Sequence, residues 1–200
     1  MPQFDLRGIK VATYVNTSGT ITYTDPLSAG DAMTCNLEMR YAEGRLYAES
    51  TLAEFMKKAT GGTISIGVKY LPTAVQQLLF GSRAKSRTVT YRPGGTGATT
   101  TATVSGLVLG AQSDGKYVGV AFYAPDMIDG VEKYTCVKVA KALFGPPSMS
   151  LQTAGDNIVF NTPTTSGEFL ADDSSNQDML EVSILDSEDA AKAWVAAVLA

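Results

Sequence analysis

The sequence predicts a mainly β domain with one or two helices, and three observations carry that prediction. Met33, Cys35, Leu37, Met39 and Tyr41 alternate with Thr34, Asn36, Glu38, Arg40 and Ala42, while Ile64, Ile66, Val68 and Tyr70 alternate with Thr63, Ser65, Gly67 and Lys69. Residues two apart share a strand face, so each run buries one side and wets the other. The run Tyr117-Val118-Gly119-Val120-Ala121-Phe122-Tyr123 is apolar on both sides, as a strand covered on both faces must be. Helical signals, by contrast, are confined to two short stretches.

Further strands are expected at residues 8–14, 20–24, 87–91, 101–109, 132–143, 157–162 and 180–185, with Asn16-Thr17-Ser18-Gly19 turning the first hairpin. Pro72 opens a short helix over 73–80, because a missing N–H costs nothing in a first helical turn, and Gly81 stops it. The second helix spans 186–199. Asp186, Glu188 and Asp189 favour its N-terminal dipole, and Ala191, Trp194, Val195 and Val198 form an apolar stripe with Trp194 as the expected anchor. Residues 50–62 and 93–101 read as loops, the second rich in glycine and threonine. No tandem repeat or break in composition divides the chain, so residues 1–200 are read as a single domain.

The chain has no histidine, which removes Ser-His-Asp and Cys-His catalysis and histidine-ligated zinc or haem. Cys35 and Cys136 sit singly in strand-like runs and are expected to be reduced thiols of a protein made in the cytoplasm. The first residues are not a charged leader followed by an apolar block, so no signal peptide is expected; no apolar run is long enough for a membrane helix. The net charge of −4 hides a segregation: no acid lies between Glu54 and Asp114, and eight of the 20 acids fall between Glu168 and Asp189. A basic middle and an acidic end suit charge complementarity within the fold or between copies, or two separate solvated surfaces.

Candidate chemistry is weak on every count. Gly94-Gly95-Thr96-Gly97 lacks the Gly-Lys-Ser/Thr ending and the following helix of a phosphate cradle. Ser82-Arg83-Ala84-Lys85 matches Ser-x-x-Lys without the partner motifs of that hydrolase family. The segment from Asp172 to Asp178 has calcium-like oxygen spacing but no central glycine and no acid in the twelfth place. Asn16-Thr17-Ser18 fits a glycosylation acceptor that matters only on secretion. The bases Arg83, Lys85, Arg87 and Arg92 have only Phe80 and Tyr91 as neighbouring stacking partners, which suits subunit contact or solvation better than DNA binding. No catalytic, cofactor-binding or metal residue is therefore assigned, and no cofactor is expected.

Two runs say more, Glu43-Gly44-Arg45-Leu46-Tyr47-Ala48-Glu49 and Asn157-Ile158-Val159-Phe160-Asn161-Thr162-Pro163-Thr164-Thr165-Ser166-Gly167, each reading as an extended strand joined to a turn with no catalytic side chain inside it. Taken in order with residues 9–14, 117–123, 137–144 and 190–194, they resemble the major tail (tail tube) protein of long non-contractile-tailed bacteriophages, the siphophages. The likeness extends from Gly8 to Val198. It implies a β-sandwich or barrel-like tail tube fold flanked by an α-helix, with hexameric rings that stack into the hollow conduit for DNA ejection. It also implies a virion-tail location after synthesis in the bacterial host cytoplasm. The implied partners are further copies of the chain, the tape measure, tail terminator and baseplate or distal tail proteins, and duplex DNA in transient passage, with no membrane.

On that footing, residues 44–62 form an inter-ring loop with Leu46, Tyr47, Leu52 and Phe55 as apolar anchors. Thr34, Asn36 and Glu38 line the bore, with Arg40 at an interface. Arg83, Lys85 and Arg87 meet Asp172, Asp173 and Asp178 between subunits. The alternative is a non-catalytic β-sandwich module binding carbohydrate or protein on a virion or cell surface. A histidine-free enzyme using Asp126 and Asp129 comes third, with no convergent acid pair behind it.

Overall fold

Turn chemistry divides the chain into antiparallel pairs. The computed structural model describes residues 5–48, 51–95, 97–148 and 162–200, with the backbone alone at 48 and 51–53. In chain order the elements are β1 (Arg7–Thr17), β2 (Thr20–Ser28), β3 (Ala32–Ala48), β4 (Thr51–Val68), α1 (Thr73–Phe80), β5 (Arg83–Tyr91), β6 (Thr100–Val108), β7 (Val118–Ile128), β8 (Val131–Phe144), β9 (Thr164–Leu170), β10 (Leu180–Leu185) and α2 (Glu188–Ala197). Ser18-Gly19 and Asp129-Gly130 join β1 to β2 and β7 to β8 with positive φ at both residues. That conformation matches the twist of the flanking strands, and Asn and Asp tolerate it best after glycine. The Asn16 side-chain oxygen accepts from the Gly19 N–H at 2.9 Å.

The main sheet runs β2-β1-β7-β8-β9-β4-β3, every pair antiparallel, while β5 and β6 form a separate two-stranded sheet. β8 is long enough to divide one margin between two partners: Tyr134–Val139 pairs with β10, and Lys141–Phe144 with β9. Residues from distant places in this order share one core: Ile9 and Val11 of β1, Val118 and Val120 of β7, and Ile64 and Ile66 of β4. They can meet only if the sheet curls so that its two halves face each other, which gives the sandwich-like architecture. α1 closes this core with Val75, Leu79 and Phe80. Its stop at Gly81 is a left-handed cap (φ 62°), and a Cβ there would strike the Asp114 backbone.

α2 covers the opposite face of the sheet. Ala191, Val195 and Leu199 are fully buried against Ala12, Ala121, Tyr123 and Cys136, the valine and leucine worth about 1.5–3 kcal/mol each. Small sheet residues make the approach possible; a Cβ on Gly119 would meet the Tyr23 ring and Leu199. Being covered on both faces, β7 is buried for nine successive residues, Val118 to Asp126. Ser187 caps α2 by accepting from the Ala190 N–H at 3.3 Å. Trp194, the expected anchor, is only half-buried at the margin of this contact; the smaller residues on its stripe make the close packing.

Four expectations need correction. Residues 44–48 and 51–62 are not a loop: β3 and β4 remain paired from Ala32↔Val68 out to Ala48↔Thr51, a hairpin that runs well past the core. Thr164–Leu170 is a strand filling the gap between β8 and β4, where a turn was read. The alternation of 33–41 holds only from Cys35 to Met39, because a bulge between Ala32 and Thr34 leaves Met33 exposed and a second lies at Arg40/Tyr41. Tyr70 lies past the end of β4 and is exposed. The strand expected at 157–162 falls, except for Thr162, outside the described residues.

Candidate assembly surfaces

Three surfaces gather the residues singled out above. The first is the far end of the β3–β4 hairpin. Cross-strand pairing puts Tyr41, Glu43, Arg45, Phe55 and Lys57 on one face. They form a ladder: Lys57 Nζ is 3.3 Å from Glu43 and 4.3 Å from the Tyr41 ring centre, and the Arg45 guanidinium stands 5.6 Å over Phe55. Exposed ion pairs and cation–π contacts of this kind contribute about 0.2–1 kcal/mol each. The other face carries Leu46 and Met56, which face no such partners. Leu46, Tyr47, Phe55 and Met56 are 59, 60, 48 and 67% exposed; the side chain of Leu52 is outside the described residues, and its backbone pairs with Tyr47. Met56 and Lys57 have no such signal in the sequence, since nothing in 51–60 alternates cleanly, and Tyr41 reads there only as part of a strand face.

The second surface is the outer face of β3, β4 and β9. Thr34, Asn36 and Glu38 are exposed there and stand in rows: Thr34–Gly67–Thr164, Asn36–Ser65–Ser166 and Glu38–Thr63–Glu168. The Ser166 hydroxyl donates to Ser65 Oγ at 3.3 Å, and Arg40 pairs with Glu168 at 2.8 Å. From Thr34 to Arg40, then, this face presents hydroxyls, one amide and two carboxylates, and its one cation is neutralised. β9's contribution, Ser166 and Glu168, does not show in the sequence, where residues up to Gly167 read as a turn.

The third surface comprises the charges. Arg83, Lys85 and Arg87 lie at alternate positions on β5, all nine residues of which are exposed. The acids expected to face them are used at home. Asp172 Oδ1 accepts from Ser174 N, Ser174 Oγ and Asp178 N at 3.1, 2.6 and 3.0 Å. Asp173 accepts from Lys141 Nζ at 2.8 Å and from the Tyr14 hydroxyl at 2.9 Å, with the ammonium also 5.2 and 4.9 Å from the rings of Tyr14 and Tyr117. These bonds, Lys141's first, hold the Asp173 carboxyl below its ordinary range. Of the three acids, only Asp178 has no side-chain bond among the described residues. Geometry therefore ties Asp173 to its own chain's β1 and β8 and commits Asp172 to its own loop, so neither forms an outward patch.

The remaining motifs stay apart. Ser82 is buried while Lys85 is exposed on β5. Asp126 is buried and accepts from Thr135 Oγ1 at 3.3 Å, whereas Asp129 occupies the β7–β8 turn. Among the described residues no three potential metal-ligating side chains converge, and no helix is long and apolar enough to cross a membrane. No protein-family model matches the chain, and a search of curated proteins returned no match.

Proposed function

We propose that this chain is a structural virion protein, a tail tube subunit whose copies close into hexameric rings and stack into a hollow conduit for DNA. The observation that carries the reading is the β3–β4 hairpin, which outruns the core and exposes Phe55 on one face and Leu46 and Met56 on the other, with Tyr47 also exposed. A long strand pair with apolar ends is an aggregation hazard on a lone molecule and a stacking device on one that repeats. Among the described residues the margin of β3 facing away from β4 pairs with no strand, which suits pairing with another copy.

The polar rows of β3, β4 and β9 suit a bore. Duplex DNA slides past a wall that does not bind phosphate, and between Thr34 and Arg40 no unpaired cation is offered. The tape measure, terminator and distal tail proteins are the partners such a tube would need. Electron microscopy of the concentrated protein tests the reading. Wild type is expected to form tubes of uniform diameter, and Leu46→Asp/Phe55→Asp to stop at rings or monomers with its circular dichroism unchanged. Dispersed monomers of wild type would refute it and favour a surface binding module; tubes formed equally by the variant would remove the hairpin from the contact.

A further inference from the structure

The β5–β6 hairpin is the most isolated element among those described. Its nine pairs, Arg83↔Val108 to Tyr91↔Thr100, hold it together, and every residue of β5 is exposed. A lone two-stranded hairpin is marginal in water, so one that pairs with no other strand among the described residues is stabilised by a further surface. Its faces are chemically distinct. One carries Ser86, Thr88, Thr90, Thr101 and Thr103; the other carries Arg83, Lys85 and Arg87 beside Val89, Tyr91 and Val104. The cations recur about 7 Å apart along the strand. None of them takes part in an ion pair among the described residues. Residues 83–108 hold four bases and no acid, and the rest of the chain holds 12 bases and 20 acids, a balance of −8.

A surface of opposite character lies at the end of the main sheet, where the β7–β8 turn meets the start of α2. Met127↔Glu132 and Ile128↔Val131 close that turn around Asp129; Tyr134↔Leu185 brings β10 alongside, and Lys133 Nζ reaches Asp186 at 3.0 Å. Asp129, Glu132, Asp186 and Asp189 therefore collect at one end, with Asp186 88% exposed despite its lysine. Met127 and Val131 are exposed among them. Both surfaces thus combine a few apolar residues with charge of one sign, the make-up of an interface with an apolar centre and a polar rim.

We infer that the cationic face of the β5–β6 hairpin docks on the acidic end of a second copy of this chain, around Asp129, Glu132 and Asp189. The contact joins two different patches, head to tail, so it can close a ring or extend a filament. It rests on the self-assembly reading above, and it replaces Asp172 and Asp173 as the acids involved.

A charge-swap experiment tests it, with self-association followed by sedimentation velocity and chemical cross-linking. Arg83→Glu/Lys85→Glu/Arg87→Glu should weaken self-association at least roughly a hundredfold. Asp129→Lys/Glu132→Lys/Asp189→Lys should do the same. An equimolar mixture of the two should recover assembly in alternating copies. Ser86→Glu/Thr88→Glu/Thr90→Glu, on the opposite face of the same hairpin, should assemble as wild type does, which excludes a general effect of added acid. Failure of the mixture to recover, normal assembly of either triple variant, or a monomeric wild type would overturn the proposal. So would a cationic-face variant that assembles normally but loses retention of a 30-base-pair DNA duplex, which would assign the face to nucleic acid. Swap-dependent oligomers without tubes would uphold this contact and refute the tube; tubes indifferent to the swap would do the reverse.

Discussion

Removing the Phe169 ring should expose how the Gly61-Gly62 pair works. Phe169 is fully buried, and a Cβ on Gly62 would strike both its ring and the Glu38 backbone oxygen. Phe169→Ala empties a ring-sized space in a two-layer core and should cost about 3–5 kcal/mol. For a chain of this length that lowers Tm by roughly 6–20 °C. Gly62→Ala is an overpacking change, since Gly62 needs no positive φ, and should cost about 1–3 kcal/mol. With the ring gone, the methyl has room on one side, so the double variant should fall short of the sum by about 1 kcal/mol. Urea unfolding read by circular dichroism and by Trp194 fluorescence would measure this. The tryptophan reports from the α2 face, so coincident curves also establish one cooperative unit. Additivity to within about 0.3 kcal/mol would refute the reasoning and leave the Glu38 oxygen as the sole constraint.

Because the Asp173 carboxyl titrates below its unfolded value, its contribution is complete above the ordinary carboxylate pKa and is lost as pH falls through the lowered one. Asp173→Asn should therefore reduce Tm at neutral pH and flatten the acid side of a Tm–pH curve; parallel curves would refute the Lys141–Asp173 pin. Burial pushes the Cys35 thiol up to about 12 and the Cys136 thiol to about 11, so neither should react with a disulfide reagent at about pH 8 until urea is added. Prompt labelling of the native protein would contradict that burial. Ser187→Ala removes the side-chain cap of α2 and should cost about 1 kcal/mol, seen as a Tm lower by about 2–4 °C.

Elements whose signals are local were legible. Pro72 and Gly81 bracket α1 to the residue, Ser18-Gly19 turns the first hairpin, and the two-sided apolar run at 117–123 is the central strand β7. What failed was alternation where no core exists to enforce it. From Glu54 to Lys58 neither strand face is covered, so Phe55 and Met56 both stay exposed and the period of two disappears. Gly61-Gly62, read as the end of a loop, instead makes room for Phe169 in mid-sheet. Partners across the sheet were out of reach for another reason. Asp172 and Asp173 show their charge in sequence, but Tyr14 and Lys141, 159 and 32 residues from Asp173, become neighbours only when β1 and β8 take their places.

The distribution of burial separates folding from association. No fully buried apolar side chain comes from residues 40–60 or 83–108 among those described, so neither hairpin contributes to the cores that set stability. The Glu188 carboxylate shows the opposite economy. It accepts from the Tyr123 hydroxyl at 3.0 Å and meets Arg7 and Lys192 at 3.2 Å each, tying α2 to β1 and β7. Acids that hold the fold are thus paired within their own chain, whereas the cations of β5 take part in no ion pair among the described residues. Substitutions at Phe169, Gly62 or Glu188 should accordingly lower stability, and substitutions on the outer parts of the two hairpins should leave the free energy of unfolding within about 1 kcal/mol of wild type while altering association. A hairpin variant that lost stability and association together would show that the hairpins fold as part of the core.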